Sequence, residues 1–175
     1  MRAFFFAAAA LLLASCSPYK VLKQASPNPF AGETSFAILP VEWNGVIIDG
    51  DVESVWERYD VDTRREWPGD KQSASELFAR AFYDSASPAQ LRPVPTPATQ
   101  GFTVKCVVHE LKTGGLKPLE LTVRLQLIDG AGTVVDEAQA TGKGKAMRGL
   151  QIMLNEAAVH AGDALGQYLA NRAKR

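Results

Sequence analysis

Apolar and polar residues alternate most regularly between residues 102 and 127 of the chain. The apolar positions that would share one face are Phe102, Val104, Cys106 and Val108, and then Leu119, Leu121, Val123, Leu125 and Leu127. A period of two is typical of strands with one buried face. Residues 129–132, Asp-Gly-Ala-Gly, predict a tight turn, after which residues 133–144 return as a third strand. This part of the chain therefore predicts an antiparallel three-stranded meander.

Two short strands and two helices are predicted around the meander. Residues 35–42 are a near-continuous apolar run that Pro40 ends or places at a sheet edge, and residues 90–94 form another short strand. A helix is predicted to begin with Asp70 as its N-cap, with apolar residues at helical spacing at Ala74, Leu77, Phe78, Ala81 and Phe82. A long helix over residues 148–172 has an inner stripe of Leu150, Leu154, Ala157, Ala158, Ala161, Leu165, Tyr168 and Leu169.

The predicted order is strand, helix, strand, three-strand meander and helix. This order is typical of an α+β fold in which a mixed sheet packs against a long C-terminal helix. Residues 35–175 would form it as a single globular domain, since about 140 residues suit one domain. Residues 16–34 contain three prolines and several small polar residues without periodicity. That composition indicates a linker without regular elements.

Residues 43–70 show no clear period but concentrate aromatic and charged residues. Residues 51–59 predict a short helix that places Val52, Val55, Trp56 and Tyr59 on one face. Trp, Tyr and Arg are over-represented among interface hot spots, so the segment is a candidate partner-binding site. Its candidate residues are Trp43, Trp56, Tyr59, Arg64, Arg65 and Trp67. The alternative is that these aromatic side chains fold back as a satellite core, and the pattern favours neither.

The chain begins with Met1 and Arg2, and an unbroken apolar run follows over residues 3–14. This run is too short to span a bilayer as a helix, which takes about 20 residues. A charged start, a short apolar stretch and a small-residue end are typical of a secretory signal peptide. The run ends in Leu-Ala-Ser-Cys at residues 13–16, which resembles the lipobox of bacterial lipoproteins. A plain signal peptide with an incidental cysteine is the alternative.

The resemblance implies a signal peptide at residues 1–15, cleavage before Cys16 and acylation of the Cys16 thiol. Two or three acyl chains anchor a protein stably without a spanning helix. Ser17 stands where enterobacterial lipoproteins retained in the inner membrane carry Asp. The resemblance therefore implies an anchor in the outer membrane, facing the periplasm. Residues 16–34 would be a lipidated tether that holds the domain off the bilayer.

Charge and cysteine content narrow the possible functions. The chain has 19 basic and 19 acidic residues, so no basic excess indicates nucleic acid. With Cys16 lipidated, Cys106 is the one remaining cysteine and no intramolecular disulfide forms. His109 and His160 lie outside any metal-binding or catalytic motif, and residues 141–145, Thr-Gly-Lys-Gly-Lys, lack the spacing of a phosphate loop. We expect no metal, no cofactor and no enzymatic activity.

The element order, the Ile-Leu-Pro of residues 38–40 and the Leu-Ile-Asp-x-x-Gly turn of residues 127–132 resemble a broad group of bacterial envelope lipoproteins. The group includes the curli-secretion lipoprotein, the N-terminal domain of the Tol system's periplasmic protein and the lipoprotein activators of penicillin-binding proteins. The resemblance covers roughly residues 35–172. Residues 43–70 have no counterpart in it, and the chain lacks the long amphipathic hairpins with which the curli pore crosses the membrane.

The sequence therefore predicts a non-enzymatic, membrane-anchored lipoprotein that binds an envelope protein as an accessory or assembly factor. Self-association into a homo-oligomer is a further option. The alternative is a periplasmic module that binds a small molecule, a lipid or a glycan. Partner binding predicts an exposed aromatic surface at residues 43–67, whereas ligand binding predicts a pocket of roughly several hundred Å³ lined by those side chains.

Overall fold

The computed structural model describes residues 17–33, 35–56, 61–87, 89–98, 100–114 and 116–174. In chain order, the elements are β1 (Tyr19–Lys23), β2 (Ser35–Ile38), β3 (Ile47–Ile48), β4 (Asp51–Val52), α1 (Glu53–Trp56), α2 (Val61–Ser85), β5 (Gln90–Pro93), β6 (Thr103–Lys112), β7 (Leu119–Ile128), β8 (Val134–Gly144) and α3 (Leu150–Lys174). The predicted α+β class is confirmed, with a mixed sheet and a long C-terminal helix packed on it.

The sheet has the strand order β1-β8-β7-β6-β2-β5, and β3 pairs with β6 beyond β2. The predicted antiparallel meander is confirmed as β6, β7 and β8, with Cys106 opposite Leu125 and Leu125 opposite Ala138. β2 runs parallel to both β5 and β6. The sheet is therefore mixed. Helix α2 returns the chain to the end of the sheet at which β2 began, so that β5 runs in the same direction as β2.

The core lies between one face of the sheet and the two long helices. Leu121, Val123 and Leu125 on β7 are buried there, as their alternation predicted. Helices α2 and α3 approach each other closely at Gly162, where an added Cβ would lie 2.4 Å from the carbonyl oxygen of Phe78. Gly162 and Gly166 therefore fit α3 against α2. At Gly142 on β8 the sheet meets α3, where a Cβ would lie 1.8 Å from the carbonyl oxygen of Ala157.

The prediction that residues 43–70 are irregular is wrong for their C-terminal part. Helix α2 begins at Val61, so Asp70 lies inside it and is not an N-cap. The buried stripe of α2 extends back from Phe78 and Ala74 to Trp67, at helical spacing. Pro68 obscured this pattern, since proline removes a backbone donor and normally breaks a helix interior. Of the predicted helix over residues 51–59, Glu53–Trp56 form α1, and residues 57–59 lie outside the described residues.

The prediction that residues 16–34 contain no regular element is also wrong. Residues Tyr19–Lys23 form β1, which pairs antiparallel with β8 and extends the sheet by one strand. Phe30 is completely buried, with its ring centroid 4.6 Å from that of Phe102. The prolines of this segment lie outside β1, so none of them removes a hydrogen-bond donor from its pairing with β8. The segment is part of the domain from Ser17 onward.

Candidate functional site

The tryptophans of residues 43–67 form one aromatic cluster. The Trp67 ring lies at its centre, with centroids 5.6 Å from Trp43 and 5.1 Å from Trp56, both in edge-to-face geometry. Trp67 Nε1 donates a hydrogen bond to Glu53 Oε1 at 2.7 Å, and Lys71 Nζ lies 2.5 Å from the same oxygen. Each aromatic contact of this kind adds about 0.5–1.5 kcal/mol beyond area burial. The cluster pins α1 to the first turns of α2.

The structure divides the predicted partner-binding residues into three groups. Trp67 has no exposed surface, so it cannot touch a partner in this conformation, and Trp43 and Trp56 are half-buried against it. Arg64 and Arg65 are exposed, and Arg65 Nη2 lies 3.2 Å from Asp62 Oδ1. Tyr59 and Cys16 lie outside the described residues. Trp67 is therefore a core residue, while a partner contact at Trp43, Trp56 and the two arginines stays a prediction.

Beside this cluster lies an apolar cleft of about 500 Å³. Its walls come from the end of β2 and the residues after it (Ile38–Val41), from one face of α2 (Ser75–Tyr83), and from the end of β5 (Pro93–Pro95). Cys106 on β6 lines it as well. The cleft exists because α2 crosses the ends of β2 and β5 at small side chains such as Ala79. Trp43 touches this region, since its Nε1 donates to Ser75 Oγ at 2.8 Å.

The polar side chains at the cleft are few, and two of them, Ser75 and Glu76, are already hydrogen-bonded within the domain. Ser75 Oγ donates to the carbonyl oxygen of Lys71 at 2.7 Å while it accepts from Trp43. Glu76 Oε1 accepts from Gln72 Nε2 at 3.0 Å. Burial raises the pKa of the Tyr83 hydroxyl above its ordinary value, and it raises the pKa of the Cys106 thiol to about 12. The cleft therefore suits an apolar group and offers no activated nucleophile.

The ligand-binding alternative predicts a pocket lined by the aromatic residues of 43–67, and this cleft is not that pocket. None of the side chains that line the cleft comes from this segment. The tryptophans pack against one another instead, because Trp67 belongs to the buried stripe of α2 and draws Trp43 and Trp56 over it. The signals that could have located the cleft are Pro40 after the first strand and the proline-rich stretch from Pro93 onward, which keep both strand ends short.

A second cleft, of about 650 Å³, lies where α2 approaches the start of α3. It is lined by polar residues of α2, including Arg65 and Asp70, and by the first residues of α3. Burial, and to a smaller extent the neighbouring Glu66 carboxylate, raise the pKa of Asp70 above its ordinary value. Ile152 on its rim is half exposed. This surface includes Arg65, one of the predicted partner-binding residues.

Among the described residues, neither histidine belongs to a group of side chains that could hold a metal. His109 Nε2 lies 3.0 Å from Arg124 Nη2 on the open face of the sheet, and His160 Nδ1 lies 2.8 Å from the carbonyl oxygen of Lys143. Among the residues that the structure describes, no three His, Cys, Asp or Glu side chains gather as a metal site would require. In the same part of the chain, no helix is both long and apolar enough to cross a membrane.

A buried ionic network, which the sequence analysis missed, holds the N-terminal segment to the domain. Asp136 on β8 is completely buried and accepts from Arg172 Nε at 2.6 Å and from the Tyr168 hydroxyl at 2.8 Å. It also accepts from the backbone N–H of Ala25 at 2.6 Å, and Arg172 Nη2 donates back to the Ala25 carbonyl at 3.1 Å. Burial first, and then the Asp136 contact, raise the pKa of Tyr168. The available signal in the sequence was that Asp136, a charged residue, occupies a position on the inward face of β8.

The sequence matches no protein-family model, and it matches no curated protein. Among solved structures, the chain is similar to the PelC dodecamer from Paraburkholderia phytofirmans, with 18% identity and a TM-score of 0.45 over 84% of this chain and 96% of that one. A PelC variant from the same organism gives 17% and 0.44 over 84% and 95%. Protein XCC0632 from Xanthomonas campestris gives 12% and 0.44 over 86% and 90%. At these values we argue function from the chain's own residues.

Proposed function

We propose that this protein is a lipid-anchored accessory or assembly factor of the bacterial envelope, and that it binds a partner protein and is not an enzyme. The observation that carries the binding role is the apolar cleft of about 500 Å³ between α2 and the ends of β2 and β5. The lipobox-like residues 13–16 support the membrane anchor. Ser17 after the cysteine supports the outer membrane, and self-association stays open as a further mode of binding.

The lining of the cleft selects the kind of group that it would hold. Phe78, Ala79 and Val94 present carbon atoms, and the hydroxyl of Ser75 is already used inside the domain. Burying an unpaired polar group against such walls is unfavourable, whereas each buried methylene contributes about 0.8 kcal/mol. An apolar side chain or side-chain cluster of a partner therefore fits the cleft, and a glycan does not.

The edge of the sheet beside the cleft indicates how a partner protein would bind. It favours contacts by the partner's side chains over backbone hydrogen bonds to β5. In the described part of the sheet, β5 pairs only with β2, which leaves its outer edge open. Pro93 on this edge and Pro95 after it cannot donate a backbone hydrogen bond. Prolines at an edge discourage the addition of another strand. A partner would thus contact the cleft with apolar side chains and not extend the sheet.

Photo-crosslinking in living cells tests this proposal. A photoreactive phenylalanine analogue replaces Tyr83, which lines the cleft, and in a matched strain it replaces Arg80, which points to solvent from the same helix. We expect the Tyr83 position to crosslink a protein that the Arg80 position does not. The substitution Ala79→Trp, which fills the cleft, should abolish that crosslink, and Arg80→Trp should leave it intact. Equal crosslinking from both positions would contradict the proposal.

The same apolar lining favours a second candidate, in which the cleft holds the acyl chain of a lipid. Crosslinking from Tyr83 would then yield a lipid adduct, a small defined mass increase, and no protein adduct. Native mass spectrometry of the protein extracted from membranes distinguishes the two candidates. A bound lipid mass that is present in the parent and in Arg80→Trp, but lost in Ala79→Trp, would favour the lipid.

A further inference from the structure

One end of the sheet carries two exposed apolar side chains on neighbouring loops. Leu116, in the loop between β6 and β7, is 85% exposed, and Met147, between β8 and α3, is 82% exposed. Leu119 pairs with Gly144 in the β7–β8 ladder, so Leu116 and Met147 each lie three residues along the chain from the same ladder position. Both apolar side chains therefore project beyond the same end of the sheet.

The backbone at Met147 is held in an unfavourable conformation. Its φ of 63° lies in the left-handed region, which residues with a Cβ seldom adopt. The fold thus keeps a large apolar side chain in water on a backbone that favours glycine. Such a residue points to a contact outside the isolated domain.

Each of the two apolar tips has a lysine close to it in the chain. Three basic residues near this end are paired with carboxylates: Lys112 with Glu110, Lys143 with Glu120 and Arg148 with Glu156. Lys117, next to Leu116, and Lys145, two residues before Met147, form no salt bridge of 4 Å or less within the described residues, although Glu156 accepts the Lys145 backbone N–H and lies close enough for the Lys145 charge to act on it. Asp49 also lies here, where it accepts hydrogen bonds from Thr113. Each apolar tip is therefore accompanied by one lysine that is outside these salt bridges.

The N-terminal segment enters the fold at this same end. Tyr19 pairs with Ala140, and β1 runs antiparallel to β8, so residues before Tyr19 lead toward the level of Gly144. Cys16 is joined directly to Ser17, the first described residue, and three residues span at most about 10 Å from Tyr19. The ionic network at Asp136 and Ala25 fixes the segment beyond β1. A lipid on Cys16 would therefore have almost no free tether.

We propose that this end of the domain lies directly on a phospholipid bilayer, with Leu116 and Met147 inserted between headgroups and Lys117 and Lys145 facing anionic phosphates. The inference rests on the proposed lipid anchor at Cys16, and it replaces the expectation that residues 16–34 hold the domain off the membrane. Apolar side chains flanked by lysines are the pattern of interfacial membrane contacts. The cleft, which lies toward the β2–β5 edge, stays accessible to a periplasmic partner.

Fluorescence quenching by lipids tests the proposed orientation. The full chain is processed in bacteria, purified and reconstituted into vesicles of phosphatidylethanolamine and phosphatidylglycerol. A polarity-sensitive fluorophore is attached to Leu116→Cys, Met147→Cys or the control Ala131→Cys, while native Cys106 is buried. Ala131 is exposed in the β7–β8 turn, at the opposite end of strands about 30 Å long. Melting temperatures equal to the parent's establish that the labelled proteins are folded.

We expect a lipid spin-labelled near its headgroup to quench the probes at 116 and 147 roughly tenfold more than the probe at 131, because interfacial groups lie about 5–10 Å deep. Replacing phosphatidylglycerol with a neutral lipid, or introducing Lys117→Glu with Lys145→Glu, should reduce that difference. Quenching at 116 and 147 no greater than at 131, on protein whose mass shows acylated Cys16, would overturn this inference alone. Absence of acyl mass would overturn the anchor as well.

Discussion

Arg172 on α3 donates from Nε to Asp136 Oδ2 on β8 across 2.6 Å, at a site from which solvent is almost excluded. The same carboxylate accepts from the Tyr168 hydroxyl and from the backbone of Ala25. One buried anion thus joins the last helix, the last strand and the N-terminal segment. Burying two charges is costly, so the pair stabilises the fold only while both partners are present.

The first prediction concerns removal of the cation. Arg172→Met should lower the free energy of unfolding by about 3–5 kcal/mol, because it leaves Asp136 buried without its counter-charge. Urea denaturation measures the change. The matched control is Arg148→Met, which removes a partly exposed ion pair with Glu156 and should cost no more than about 1 kcal/mol. Equal losses in the two variants would contradict the role given to the Asp136 site.

The second prediction separates the buried tryptophan from its neighbour. Trp67→Ala should cost about 3–5 kcal/mol, the usual penalty for emptying a buried aromatic site. Trp56→Ala should cost less because Trp56 is only half-buried. In a double-mutant cycle, the edge-to-face contact should appear as a coupling of about 0.5–1.5 kcal/mol. A Trp56→Ala variant as stable as the parent would contradict this packing role and would support Trp56 as a partner-binding residue.

The third prediction tests the close approach of the two long helices. Gly162→Ala should destabilise the domain by about 1–3 kcal/mol, since the new methyl group overlaps the backbone of α2 at Phe78. Gly69→Ala, inside α2 with open space around it, is the matched control. That change should stabilise the domain by up to about 1 kcal/mol, because alanine favours helix more than glycine does. Thermal unfolding measures both stability changes. A change of the same sign in Gly162→Ala and Gly69→Ala would contradict the proposed packing.

Much of the architecture follows from local pattern. The meander was predictable because Leu121, Val123 and Leu125 alternate with polar residues on one half-buried strand. Helix α3 was predictable from its stripe of leucines and alanines. The start of α2 was not, because Pro68 and Gly69 lower the local helix preference and only tertiary burial of Trp67 compensates for it.

The candidate site was much less predictable than the fold. The cleft is formed by segments that are distant in sequence, and its shape depends on where β2 ends before Pro40 and where β5 ends at Pro93. The hydrophobic period of one segment carries no information about where another, distant segment ends. The hot-spot residue types at 43–67 made this segment a candidate interface, but composition does not reveal whether a tryptophan faces a partner or its own domain.

The fourth prediction is a pH dependence that arises from Cys106. Its pKa is about 12 in the folded state, whereas a free thiol titrates near 8.5–9, so the unfolded chain loses the proton first. The stability contributed by this group is complete below the unfolded pKa and falls as pH rises above it, by about 1.4 kcal/mol per pH unit. Urea denaturation from pH 8 to pH 10 should therefore show a steeper decline for the parent than for Cys106→Ala. Parallel declines would contradict the burial of this thiol.

The fifth prediction tests the central claim, that Cys16 carries the lipid that places this domain on a membrane. Mass spectrometry of the intact protein extracted from bacterial membranes should show a chain that begins at Cys16 and carries acyl groups. Cys16→Ala should instead remain an uncleaved precursor that incorporates no labelled palmitate. An unacylated parent chain, or a Cys16→Ala variant that matures normally and incorporates the label, would contradict the account.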